Sequence, residues 1–136
     1  IDFPIQNHFV FVKACDNNFI DIVSIILPHT NVNYKYCEAL QTAMYAEHID
    51  VVKLLTPYCD LYVDNCQLFK YALWCQQIET INTFLPFVEI ELVRHNLDDP
   101  HMLSLFDDIC LKHSLLDQLQ EHIDQPPLKI QQKRKI

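Results

Sequence analysis

The sequence predicts an all-α fold, a solenoid of three regular helix-turn-helix units closed by a degenerate C-terminal capping unit. Three observations lead there. The 136 residues include no glycine, and tight two-residue hairpins favour glycine, so helices are favoured over sheet. The chain matches itself at an offset of 29 residues without an insertion, which is the mark of a repeat architecture. Within each period the apolar residues fall at helical spacing.

The offset relates Ala14, Ala43 and Ala72, and likewise Pro28, Pro57 and Pro86. It carries Ile20-Asp21 onto Ile49-Asp50 and Ile78-Glu79, Val23 onto Val52 and Ile81, Ile26 onto Leu55 and Phe84, and Phe11 onto Leu40 and Phe69. The units run over about 8–36, 37–65 and 66–94. In the second, one helix is expected over about Cys37 to Ala46 with Leu40 and Ala43 on one face. After a break at Glu47-His48, another runs over about Asp50 to Thr56, with Ile49, Val52 and Leu55 as its stripe. Asp21, Asp50 and Glu79 stand where a carboxylate meets the positive end of a helix dipole. The three prolines are expected to end those helices, and Asn7 and Asn65 are candidate N-caps.

One unit cannot bury its stripe alone, so neighbours must stack, with the alanines allowing close approach. Beyond the third unit, Leu105-Phe106 answers Leu68-Phe69 at an offset of 37, so the linker Val88 to Met102 is about eight residues longer. Ile109 replaces the alanine, and Leu115, Leu119 and Ile123 continue an apolar face. A more polar second helix is expected around Gln118, Gln120, Glu121 and His122, as suits an irregular cap over 95–125. The repeat domain is thus 1–125, followed by a basic tail, 126–136.

Charge and composition exclude several functions. The tail carries Lys129, Lys133, Arg134 and Lys135, which leaves six basic against eighteen acidic residues, net −12, in the remainder. A body that acidic is a poor nucleic-acid binder, because affinity there rests on neutralising phosphates. Without glycine, phosphate-cradling loops for nucleotide substrates or cofactors are excluded. No apolar run is long enough to cross a bilayer, and nothing resembles a secretion signal. The chain does not begin with Met, which suggests a segment of a longer protein. Six cysteines in a chain with an ample core and no signal are expected to be reduced, in a cytoplasmic setting.

Glu38 to Leu61 resembles an ankyrin repeat. The stretch Glu47-His48-Ile49-Asp50-Val51-Val52-Lys53-Leu54-Leu55 is similar to that family's Gly-His-x-x-Val-Val-x-x-Leu-Leu segment, and Asp60 falls near its Gly-Ala-Asp. There are departures. The family's Thr-Pro-Leu-His stands here as Glu38-Ala39-Leu40-Gln41, and the period is 29 residues against about 33, implying a shortened finger between units. Asn18, Glu47 and Gln76 replace the glycine ending each first helix. Of these only Asn takes a left-handed conformation readily, so the other two turns should be strained or built differently. Glycine-poor units rich in Asn, His, Tyr and Cys also resemble effectors that intracellular bacterial pathogens deliver into host cells, and host-range proteins of large DNA viruses.

The resemblance implies a module that binds a protein partner in a concave groove, and neither an enzyme nor a binder of small molecules, cofactors or membranes. Tyr45 and Trp74 hold matching places at the ends of their first helices, with Asp16 in the corresponding place of the first unit. In the family, these positions with Asn17, Ala46 and Cys75 line the groove, and the linkers add Tyr34, Tyr36, Tyr62 and Val63. Exposed aromatics on a rigid surface are good anchors; the plainer role for both rings is packing against the next unit. The acidic body implies a partner with a basic patch. A scaffold domain of a larger protein is the alternative, which apolar exposure around Phe3, Ile5 and Phe9 would favour.

Other candidates are weaker. No close Cys or His pair starts a zinc site. Cys37 and Cys66 match by the period and suggest a shared packing role. Their places near helix N-termini should lower their pKa, yet a thiol enzyme needs an oxyanion hole besides. Asp98-Asp99 and Asp107-Asp108 read as solvated surface, and the basic tail as a solvated end or a nuclear-import signal.

Overall fold

A computed structural model of the chain describes residues 5–124, with side chains from His8 onward. All of the regular structure in that span is helical. Three helix pairs come first: α1 (Ile5–Asp16) with α2 (Ile20–Ile26), α3 (Tyr34–Tyr45) with α4 (Ile49–Leu55), and α5 (Val63–Trp74) with α6 (Ile78–Phe84). Then come α7 (Ile90–His95) and α8 (Pro100–Asp124). The bounds of α3 and α4 recur in α5 and α6 at an offset of 29 residues.

Helices of twelve and seven residues are too short to persist alone in water. Each covers the next: α1 packs on α3 and α3 on α5, while α2 packs on α4 and α4 on α6. Ala14, Ala43 and Ala72 are buried, as are Phe11, Leu40 and Phe69 one turn earlier. From the second helices, Val23, Val52 and Ile81 with Ile26, Leu55 and Phe84 fill the space between pairs. Asp21, Asp50 and Glu79 do lie in the first turns.

Several local expectations need correction. The prolines do not end the helical path. Each α-helix stops two residues earlier, and Pro28, Pro57 and Pro86 sit in the first turn of a 3₁₀ helix that continues from it. There a fixed φ fits, and the missing N–H is one that would be unpaired anyway. Asn65 is no N-cap: it lies at φ 56° in a left-handed turn, Asp64-Asn65-Cys66, matched by Lys35-Tyr36-Cys37. Right-handed geometry therefore begins only at Glu38 and Gln67. Asn7 is no N-cap either, because it stands inside α1, which begins at Ile5. The side chains of Phe3 and Ile5 and the basic tail lie outside what is described.

The glycine-free turns between paired helices are built as a glycine would build them. Asn18, Glu47 and Gln76 all have φ between 55° and 59°. After each, an N–H reaches back five residues, Phe19 to Ala14, His48 to Ala43 and Gln77 to Ala72, at 2.9, 3.0 and 2.8 Å. That is the Schellman arrangement, which satisfies a helix-end carbonyl. Glu47 and Gln76 therefore hold a conformation that costs a residue with a Cβ about 1–2 kcal/mol.

Polar side chains tie successive pairs together along both edges. On one edge, the Asp60 N–H donates to Asn33 Oδ1 at 2.8 Å, and one period on the Glu89 N–H donates to Tyr62 Oη at 2.8 Å. On the other, Gln77 Nε2 donates to the Met44 carbonyl at 3.0 Å, and His48, one period before Gln77, places its Nε2 2.9 Å from the Asp16 carbonyl, one residue beyond Met44's counterpart. The same joints recur with different chemistry.

The C-terminal region departs from the expected helix pair. The long linker contains α7, and α8 runs 25 residues without a turn. Asp107 is not simply solvated surface: Arg94 of α7 holds it through two hydrogen bonds of 2.7 and 3.1 Å. The guanidinium keeps the Asp107 carboxyl below its ordinary value. The first half of α8 covers both α5 and α6, with Phe106 edge-on to Phe69 at 5.9 Å between ring centroids.

Replacing Glu47 or Gln76 by Gly should raise stability by about 1 kcal/mol each, the relieved left-handed cost less the added freedom of the unfolded chain. Asn18→Gly should gain less. Urea unfolding midpoints check this, and a loss of stability in either glycine variant contradicts the turn assignment.

Candidate functional site

The residues expected to line a groove stand at the ends of α1, α3 and α5. Asp16, Tyr45 and Trp74 are the last residues of those helices, followed by Asn17, Ala46 and Cys75. Because the three helices pack in sequence, these ends form a row along one edge. All are exposed except Ala46, which is half-buried.

Trp74 is 75% and Tyr45 59% exposed. The plainer role, packing against the next unit, holds only for part of Tyr45, whose ring meets Tyr71 of the following helix edge-on at 4.6 Å between centroids. Tyr71 is a member that sequence reasoning missed. It stands one period after Thr42 and three residues before Trp74, and those two offsets together were the available signal. Burial pushes its hydroxyl up to about 12, helped by the Cys75 thiol beside it.

Between α1 and α3 lies an open groove of about 380 Å³ lined by His8, Phe9, Lys13, Tyr34, Glu38 and Thr42, among others. Its counterpart between α3 and α5, one period on, shrinks to about 20 Å³. There Tyr45 and Tyr71 occupy the places of Asp16 and Thr42, and their rings fill the space. In the open groove His8 is buried against Glu38 at 3.3 Å and against the edge of the Tyr34 ring. The Lys13 ammonium sits 5.7 Å over the exposed Phe9 ring, and that of Lys35 5.7 Å over Tyr34. None of His8, Glu38 or Thr42 was singled out from sequence.

The linker residues divide. Tyr36 is exposed, at the centre of a left-handed turn. Tyr34 is half-buried in the open groove, whereas Tyr62 is half-buried with its hydroxyl committed to Glu89. Val63 packs on the core. Tyr62 therefore belongs to the joint between pairs and not to the row of helix ends.

Among the described residues no group of three His, Cys, Asp or Glu side chains is placed to hold a metal, and no helix is long and apolar enough to cross a membrane. Cys37 and Cys66 are both fully buried, in keeping with a shared packing role. Their pKa values move apart, against expectation. Burial raises the Cys66 thiol, whereas a hydrogen bond with the Cys59 thiol lowers that of Cys37 and raises that of Cys59. Helix position is not the cause, because both residues precede the right-handed part of their helices. Burial pushes Cys15 up to about 12. No family model, curated protein or solved structure matches this chain.

In the native protein iodoacetamide should label the exposed Cys75 well before Cys15, Cys37 and Cys66, since alkylation needs an accessible thiolate. Peptide mapping over time checks the order. Faster labelling of Cys37 than of Cys75 would instead mark an activated thiol.

Proposed function

We propose that this chain is a protein-binding module, an ankyrin-like stack of helix-turn-helix units that holds a protein partner on the face formed by α1, α3 and α5. The 29-residue recurrence of helix bounds, left-handed turns and joints between pairs supports the stacked architecture. A single observation carries the functional reading: Tyr45 and Trp74 expose large rings at matching helix ends, and only part of the Tyr45 ring is taken up by packing on Tyr71. Such rings bury much area on binding while freezing few torsions.

The mechanism is complementarity of shape and charge. The partner inserts side chains between the aromatic row and the open α1–α3 groove. The net −12 of the chain ahead of its basic tail selects a partner with a basic patch and speeds encounter at low salt. An effector acting on a host protein is the setting that the composition suggests.

One observation favours a second reading, a scaffold within a larger assembly. Val10, Ile22 and Ile25 on the outer side of the first pair are exposed. One period later Ala39 and Val51 are buried and Leu54 is half-buried, beneath the preceding pair. The first pair thus offers apolar surface of the kind that a neighbouring unit or domain covers.

The test is affinity capture from eukaryotic lysate with the wild-type chain and a Tyr45→Ala/Trp74→Ala variant of unchanged circular dichroism. A protein held by wild type should bind the variant at least about tenfold more weakly, and its association should slow with added salt. A protein held equally by both removes the aromatic row from the function and leaves the scaffold reading ahead.

A further inference from the structure

The second half of α8 projects beyond the helices it covers. From Ser114 to Asp124 every residue is exposed. Its apolar side chains are not scattered. Leu115, Leu116, Leu119 and Ile123, each more than half exposed, fall within an arc of about 100° at 100° per residue. Three of them also continue a seven-residue spacing: Met102, Ile109, Leu116 and Ile123 form one series, and Leu105, Lys112 and Leu119 the other. That alternation of three and four is the seam of a coiled coil. Within the body the seam is covered, with Ile109 buried and Leu105 half-buried. Beyond His113 it is bare.

Where the seam leaves the body, a groove of about 350 Å³ opens between α6 and α8, lined by Ile78, Asn82, Ile109, Lys112 and Leu116 among others. We propose that a second copy of this chain covers this surface, its α8 lying antiparallel on the first and the groove taking the partner copy's end of the helix.

Three features point to that occupant. The bare stripe presents apolar surface on the order of 500 Å², as large as the largest patch on ordinary monomers. Pairing two such stripes removes about 1,000 Å² from water, the threshold for a specific interface. A two-fold arrangement is also self-complementary, as an isologous dimer requires: the Leu116 of each copy meets the Leu119 of the other. Charge selects the direction. In a parallel pair the two Lys112 side chains would face each other inside the seam. In the antiparallel pair each Lys112 meets the opposite helix end, beside Ile123 and within reach of Asp124. Ile123 then enters the apolar groove against Ile78, Ile109 and Leu116.

Sedimentation equilibrium of the full chain at tens of micromolar tests this. The expected mass is twice 16.1 kDa, and Leu119→Glu/Ile123→Glu should return it to the single mass with unchanged helicity. Lys112→Asp should weaken the dimer at least tenfold, and adding Asp124→Lys should restore it. A wild-type chain that stays monomeric, or a double-glutamate variant that stays dimeric, overturns the proposal. Failure of the charge exchange to restore pairing overturns the antiparallel direction.

Discussion

Everything in this structure depends on one constraint: no helix pair can cover its own apolar side. A twelve-residue and a seven-residue helix fold only by borrowing surface from neighbours. The alanines at positions 14, 43 and 72 let the first helices approach closely, and the aliphatic and aromatic residues of the second helices fill what remains. The backbone is bent to serve this packing. Glutamate and glutamine are held in left-handed turns because those turns return each second helix onto its partner, and burial of the stripe offsets the local strain.

The same constraint explains which side chains packing leaves exposed. Phe11, Leu40 and Phe69 face inward and are consumed by packing. Asn33, His48, Tyr62 and Gln77 are consumed by the joints between pairs. The side chains of Asp16 and Trp74 and most of the Tyr45 ring are left exposed, and their chemistry varies from carboxylate to indole at structurally matching places.

Much of the fold was legible in the sequence because packing acts through period and pattern. The alanines, the prolines and the apolar triplets marked helix pairs to within a few residues, and α3 and α4 fall where the spacing put them. What was illegible depends on three-dimensional neighbours. The 3₁₀ turns at Pro28, Pro57 and Pro86 look from sequence like helix ends, since proline suits the opening of one helix as well as the close of another. The left-handed turn at Lys35-Tyr36-Cys37 contains no residue that advertises it, and only its counterpart carries left-handed-prone residues, Asp64 and Asn65. The more polar second helix expected near Gln118 is instead the run-on of α8, which no proline interrupts. Within the candidate site, Tyr45 and Trp74 were legible as matched helix ends. His8 and Glu38 were not, because their roles come from a neighbouring helix, and Tyr71 showed only through its offsets from Thr42 and Trp74. Tyr62 was legible as a linker residue, but not the Glu89 N–H that its hydroxyl accepts.

If the joint between pairs is a repeated module, one whole period should be removable. Excising residues 38–66 joins Cys37 to Gln67, so that Asn33 would face Glu89 in the place Tyr62 now holds. The measurement is urea unfolding followed by circular dichroism, beside an out-of-register excision of residues 38–58. The stacked account predicts that the in-register chain keeps its helicity and unfolds in one cooperative step at a lower midpoint, while the out-of-register chain does not. Equal loss of cooperative structure in both would contradict it.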